Sequence, residues 1–313
     1  MIVDMHTDIL SRMFNDKSNY EFEKDNECAQ IDLPKLIKSK LDLQFWAVYV
    51  DKQFKPHLAL KKGLQQIELF HKIIEKYSRN LKMVKTTADL EDNKNKVKLL
   101  LALEGGEPIE DDLNLLHLFY RLGVRSIGLT WNQRNQIADG VWEDESGGGL
   151  TLFGKKLIRE MNDLGILVDL AHISKKGFFD AINISTAPVL VTHGNCKSIC
   201  NHPRNLSDEQ IKALAEINGV LGITFYPPFL NDQNHATVDD IVKHIIYVVD
   251  LVGIDYVGIG SDFEGIEIFP EGLEDISKIK VLELSLYKYG FSKSEVNKIL
   301  GLNSMRVIKE VLK

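Results

Sequence analysis

Along the chain, short runs of consecutive apolar residues alternate with stretches in which apolar positions recur every three or four residues. The runs fall at 2–5, 41–50, 96–103, 124–130, 166–171, 188–192, 220–226 and 256–261, and several are apolar almost throughout, as in KVKLLLALEGG, GILVDLAH, APVLVTH and YVGIGSDF. Such runs read as strands buried on both faces, the condition of parallel strands covered by helices. Between them, HLALKKGLQQIELFHKIIEKY, LNLLHLFYRLG, LTLFGKKLIREMNDLG, SDEQIKALAEING and TVDDIVKHIIYVVDLVG carry the helical period. The last two open on a Ser or Thr cap and close on glycine. Alternating strands and helices with right-handed crossovers build an open doubly wound sheet or a closed barrel. Eight strands favour closure. The expected fold is a (β/α)8 TIM barrel, with extra C-terminal helices packed on it from the pattern of 273–313.

The length of 313 residues suits one barrel of this kind, so 1–313 is read as a single domain with no linker, repeat or low-complexity segment. The 44% hydrophobic content supplies a sizeable core. A net charge of -7 argues against a nucleic-acid partner, which would need clustered Lys and Arg. The three cysteines make no disulfide framework and point to a reducing compartment. MIVDMHTDIL lacks the features of a signal peptide, and no apolar stretch reaches 18 residues. The expectation is a soluble, cytoplasmic chain without a membrane anchor.

Chemistry enters at the strand ends. His6 and Asp8 follow strand 1, Glu104 ends strand 3, His172 strand 5, His193 strand 6 and Asp262 strand 8. In a barrel these positions share the C-terminal mouth, where the sites of this fold are built. Each alone has an ordinary reading: a hydrogen-bonded core histidine, a turn residue before two glycines, or a helix N-cap. Six metal-competent side chains converging on one mouth do not, because unpaired buried charges are strongly penalised. Imidazole and carboxylate donors without thiolate favour Zn2+, with Mn2+, Fe2+ or Co2+ not excluded. Six donors exceed what one open tetrahedral zinc needs and suit two ions about 3.5–4 Å apart.

Other signals are weaker. Gly258-Ile259-Gly260 lacks the third glycine of a dinucleotide fingerprint, and P-loop, H-E-x-x-H and G-x-S-x-G motifs are missing. Cys196 and Cys200 read as packing residues rather than a thiol pair. His57, His71, His117 and His244 lie in helical patterns and read as surface or interhelical residues, while His202 and His235 stay unassigned. Ser146-Gly147-Gly148-Gly149 reads as a flexible surface loop or as part of an active-site rim; Trp131 and Trp142 line a pocket or fill space.

With these residues in place, the sequence resembles the membrane (renal-type) dipeptidase family, zinc peptidases on an amidohydrolase-type barrel. The likeness spans essentially the whole chain. It rests on D-M-H-T-D (4–8), A-L-E-G-G (102–106), V-D-L-A-H-I-S (168–174), T-H-G-N (192–195), P-R-N-L-S-D (203–208), G-S-D-F-E-G (260–265) and P-E-G-L-E-D (270–275). The resemblance implies one zinc on His6, Asp8 and Asp262, a second on His172 and His193, and Glu104 bridging both. It matches Arg204 to a substrate-binding arginine and Tyr226 to a tyrosine near the pocket. It also implies tolerance of a D-residue at the C-terminal position, and a homodimer. Animal members carry a substrate-binding His in a T-H-S segment where this chain reads Thr130-Trp131-Asn132, so that role is vacant or passes to Asn132.

The resulting expectation is a zinc dipeptidase in which a metal-bridging hydroxide attacks the peptide carbonyl, with Asp262 as general base and then acid. Arg204 grips the substrate carboxylate, its ordinary alternative being a surface arginine paired with Asp208. The rival within enzymes is hydrolysis of a lactone, cyclic amide or phosphoester on the same metals, since fold alone does not decide function. The rival outside enzymes is a non-catalytic scaffold on a decayed barrel, against which six intact ligands argue.

Overall fold

In the computed structural model, residues 1–16, 20–91, 96–233 and 235–313 are described. The strands are β1 (Val3–Asp4), β2 (Leu43–Tyr49), β3 (Leu81–Met83), β4 (Val97–Glu104), β5 (Val124–Gly128), β6 (Leu167–Asp169), β7 (Leu190–Gly194), β8 (Val220–Ile223) and β9 (Val257–Ile259). All pairings are parallel. β1 lies between β2 and β9, and β2 pairs with β4, so eight strands close into a barrel. The ninth is β3, absent from the pattern-based reading. Its three residues pair with Val97–Leu99 of β4, below the point at which β5 takes up pairing with that strand at Leu101. A three-residue strand is too short to show a period.

The apolar runs divide between two cores. In β2, Leu43 and Phe45 join the inner cluster while Trp46 and Val48 face the helices; in β4, Leu100 is inner and Leu99, Leu101 and Leu103 are outer. This is the alternation of strand side chains with both faces apolar. The inner cluster continues into Met305, Val307, Ile308 and Val311 of the last helix, Asn303–Val311. That helix is tied to the start of β9 by Asn303 Nδ2, which donates to Ile254 O (2.7 Å) and Val257 O (2.8 Å). The expected C-terminal helices therefore close the lower end of the barrel, away from the strand C-termini.

All five expected helices form, as Ala59–Lys76, Leu113–Leu122, Leu152–Leu164, Asp208–Glu216 and Val238–Val252. Ser207 and Gln210 make a reciprocal capping box on the fourth. Among the described residues, five further helices escaped the pattern: Ile9–Asn15, Leu33–Ser39, Thr87–Glu91, Lys175–Ile184 and Pro227–Leu230. Four of them span only four to seven residues. Lys175–Ile184 has Gly177 where a capping box would carry Glu or Gln, although Ser174 still caps Gly177 N at 3.1 Å. Among the described residues, no helix is long and apolar enough to cross a membrane.

The two glycines that failed as a dinucleotide fingerprint serve barrel closure. A Cβ on Gly260 would stand 1.8 Å from Thr192 O, and one on Gly258 2.6 Å from Ser304 Oγ. Gly260→Ala is therefore expected to destabilise the protein by about 1–3 kcal/mol or more, the usual cost of overpacking. Denaturant unfolding checks this; a wild-type midpoint would contradict the close approach.

Candidate metal centre

The strand ends deliver the donors to one point. His6 and Asp8 follow β1 at i+2 and i+4 from Asp4, which keeps all three on one side of the extended chain. Glu104 is the last residue of β4, and His193 the penultimate residue of β7. His172 and Asp262 each come three residues after a strand, and both adopt left-handed backbone (φ 66 and 67), which turns their side chains inward over the mouth. All but Asp262 are under a tenth exposed.

Glu104 is the meeting place. Its Oε1 lies 2.9 Å from His172 Nε2, 3.6 Å from His6 Nε2 and 3.7 Å from His193 Nε2. His172 Nε2 and His193 Nε2 are 2.7 Å apart, and His6 Nε2 is 3.4 Å from Asp8 Oδ2 and 3.8 Å from Asp262 Oδ1. Three donor groups result: His6–Asp8–Glu104, Glu104–His172–His193 and His6–His193–Asp262, each with ligand atoms within 4.8 Å of one another. The first two share Glu104.

The electrostatics match a place built around positive charge. Burial and the facing Asp8 carboxylate raise Glu104 well above the usual carboxylate range. Burial pushes Asp262 up to about 7, with Asp8 adding and His6 opposing. Burial would lower His6, but Glu104, Asp8 and Asp262 together hold it at about 10. Burial lowers His172 and His193 well below the normal imidazole value, leaving them neutral. His6 Nε2 and Asp8 Oδ1 are buried without a hydrogen-bond partner among the described residues. Buried polar atoms normally have one, and a cation between these groups would satisfy both. The donor set thus fits divalent metal.

Residues behind the donors orient them. Asp4, fully buried, accepts from Ser261 N and Oγ (both 2.7 Å) and Gln44 Nε2 (2.9 Å), joining β1 to the exit of β9. Asp169 accepts from Thr192 Oγ1 (2.6 Å), which stands 3.0 Å from His193 Nδ1. His172 Nδ1 meets Asn132 Oδ1 at 2.7 Å. Sequence reasoning passed over Asp4, Asp169 and Thr192. The signal was there, since each lies within a few residues of a donor in a quoted motif.

Above the donors is a cavity of about 330 Å³. Arg204, Tyr226 and Asn132 line it, as do Tyr49, Trp131 and Phe229. Tyr49 and Phe229 were not singled out from the sequence. Arg204 is buried rather than at the surface, and Asp208 is engaged instead by Ser198 Oγ (2.8 Å) and Tyr247 OH (2.9 Å). The Arg204 guanidinium donates to His193 O (3.4 Å) and makes no ion pair among the described residues. Burial pulls it down to about 10, so it stays charged at neutral pH. His202 shapes this loop by accepting Arg204 N at Nδ1 (3.2 Å).

Other expectations resolve away from the mouth. The 146–149 loop is tied down: Asp139 accepts from Ser146 Oγ (2.6 Å), Gly148 N (3.1 Å) and Gly149 N (3.2 Å). His244 is buried, joining Cys196 N (3.0 Å) to Leu230 O (2.9 Å), and His117 pairs with Glu160 of the next helix (3.0 Å). Cys196 and Cys200 are buried free thiols. A larger cavity of about 780 Å³ runs along Ala59–Lys76, and no donor group of the described residues reaches it.

Comparison with known proteins agrees with this geometry. The family model for membrane dipeptidases (peptidase family M19) matches residues 1–313. Dipeptidase aclJ of Aspergillus oryzae is 33% identical across 99% of this chain and 78% of its own. Dipeptidase tcpJ of Claviceps purpurea is 32% identical across 94% and 74%. Among solved structures, a metallo peptidase from Rhodobacter sphaeroides, liganded with a phosphinate mimic of the dipeptide L-Ala-D-Ala, superposes with a TM-score of 0.93 at 26% identity over 99% of both chains.

The protonation pattern predicts how a cation acts. The raised groups, Glu104, Asp262 and His6, hold protons in the metal-free protein, and a cation must displace them. Stability from a raised group is present below its unfolded value and is lost as pH rises through its folded value, about 7 for Asp262. The depressed histidines act oppositely, costing stability as pH falls below their unfolded value near 6.5. They need no deprotonation to bind. The rise in melting temperature on adding Zn2+ to metal-free protein should therefore be larger at pH 8 than at pH 6. Calorimetry at both values tests this; an equal or smaller rise at pH 8 would contradict it.

Proposed function

The chain belongs to the membrane dipeptidase family, peptidase family M19, and is a dipeptidase; from that premise we propose that it cleaves free dipeptides at a pair of zinc ions and accepts a D-residue at the C-terminal position. The observation that carries this reading is the convergence of three imidazoles on Glu104 beneath a buried arginine that has no ion pair among the described residues. His6, Asp8 and Asp262 would hold one ion and His172 and His193 the other, with Glu104 common to both donor sets. The donor chemistry, imidazole and carboxylate, suits zinc and is shared by Mn2+, Fe2+ and Co2+. When bound, the ions supply Lewis acidity and a water activated to hydroxide near neutral pH.

The protein's own groups do the rest. Asp262 takes the proton of the attacking water and returns it to the leaving amine nitrogen, as general base and then acid. Thr224 Oγ1 donates to its Oδ2 at 3.4 Å and steadies the carboxylate. Arg204 receives the substrate's terminal carboxylate, the partner its buried charge lacks, with the fork geometry that such pairs favour. Phe229, whose ring centroid is 5.8 Å from the guanidinium carbon, and Tyr226, edge-on to Phe229, wall that end of the cavity. Asn132 Nδ2 has no partner among the described residues and donates to the substrate carbonyl in place of the animal members' histidine. With the carboxylate gripped, the side chain's handedness is left to pocket shape. The L-Ala-D-Ala mimic in the Rhodobacter sphaeroides protein supports D-residue acceptance.

Two experiments separate the roles. Asp262→Asn keeps the shape and an oxygen donor but removes the base; in metal-replete protein kcat should fall about 10²–10⁴-fold. Wild-type turnover would remove Asp262 from proton transfer. Arg204→Ala should cost roughly 10²-fold or more in kcat/KM on L-Ala-D-Ala and L-Ala-L-Ala, and much less on their C-terminal amides. Equal losses on acids and amides would make Arg204 structural and leave the substrate class open.

A further inference from the structure

His172, like Asp262, lies beyond its strand, so no ladder sets its orientation. It stands three residues past β6 in a left-handed conformation, where no strand neighbour dictates its ring plane. What holds it is the loop after β5. Val141 N donates to His172 O (2.8 Å), and Trp142 N donates to Asn132 O (2.9 Å), so one short turn grips both backbones. Gly140 makes the grip this close: a Cβ there would lie 2.3–2.5 Å from Trp131 O and from Asn132 C and O. The Trp131 ring lies tilted over His172 at 5.9 Å and 32°. The remaining freedom of the imidazole is rotation about its own bonds, and among the described residues Asn132 Oδ1, buried and 2.7 Å from Nδ1, is the one hydrogen-bond partner on that side.

We infer that Asn132 is a positioning residue, whose Oδ1 fixes His172 with Nε2 turned towards Glu104 and His193 and thereby sets how tightly the second ion is held. A carbonyl oxygen at this distance accepts, so Nδ1 carries the hydrogen and Nε2 presents its lone pair to the centre. Partners of this kind orient ligating histidines and raise their basicity. His193 has its own arrangement in Thr192 and Asp169, so the two histidines are held by separate devices. The inference rests on the reading that His172 holds an ion. It is compatible with a substrate contact through Nδ2, because Oδ1 and Nδ2 are separate atoms of the amide and can bond at the same time.

The test measures zinc affinity without any substrate. Metal-free wild type, Asn132→Ala and Asn132→Asp compete for Zn2+ with a chromophoric chelator, and circular dichroism verifies that each is folded. Asn132→Ala should weaken one of the two ions by about 10–100-fold. Asn132→Asp keeps an acceptor oxygen at the same place and should stay within a few-fold of wild type. Unchanged affinity in Asn132→Ala, with only kcat or KM altered, would assign Asn132 to substrate alone and overturn the inference. Equal weakening in both variants would overturn it too, marking a packing role. Failure of the two-ion reading shows separately, as wild-type protein that takes up fewer than two ions, and would bring this inference down with it.

Discussion

Glu104 Oε1 stands within 2.9–3.7 Å of three imidazole nitrogens, and the rest of the barrel mouth is arranged about that one oxygen. Burial makes the arrangement costly. The carboxylates Glu104 and Asp262 are pushed towards protonation, His172 and His193 towards neutrality, and two polar atoms go without partners. A chain folding for stability alone would place apolar side chains there, since buried ion clusters seldom repay their desolvation. Such a concentration of perturbed groups is the physical mark of a working site.

The barrel carries the cost through its supports. The inner core below the mouth is apolar and closed at its lower end by the last helix, so the strand ends have little freedom to spread. Buried carboxylates at Asp4 and Asp169 hold the donors by hydrogen bonds to neighbouring strands and exits, and are themselves fully engaged. The glycines at 222 and 260 allow β8 and the exit of β9 to approach Thr192, the residue that steadies His193. Packing and polar support are thus one structure: a Cβ at Gly260 would disturb both.

The parts legible in the sequence were those encoded by period and position. Eight apolar runs with helical stretches between them specify parallel strands, and a donor at the end of a parallel strand has only the C-terminal mouth to face. His6, Asp8, Glu104, His172, His193 and Asp262 were visible for that reason. β3 and four helices of four to seven residues were not, because so few residues carry too little pattern, and Lys175–Ile184 was missed because Gly177 stands where a capping box would carry Glu or Gln. The burial of Arg204 was hidden by its place in a loop, and only P-R-N-L-S-D marked it. Asn132 could be placed near the pocket, but its bond to His172 depends on a left-handed residue and on the turn at Gly140, which no periodicity records. Ser146–Gly149 looked loose because glycine suggests freedom; Asp139 removes it from seven residues away.

The central claim is that Glu104 lies between two metal ions. Crystals grown with zinc, with anomalous diffraction recorded on both sides of the zinc absorption edge, test it most directly. Two peaks per chain are predicted, on opposite sides of the Glu104 carboxylate and about 3.5–4 Å apart, as in other two-metal sites. One peak, or peaks that leave Glu104 outside the coordination of both ions, would contradict the account.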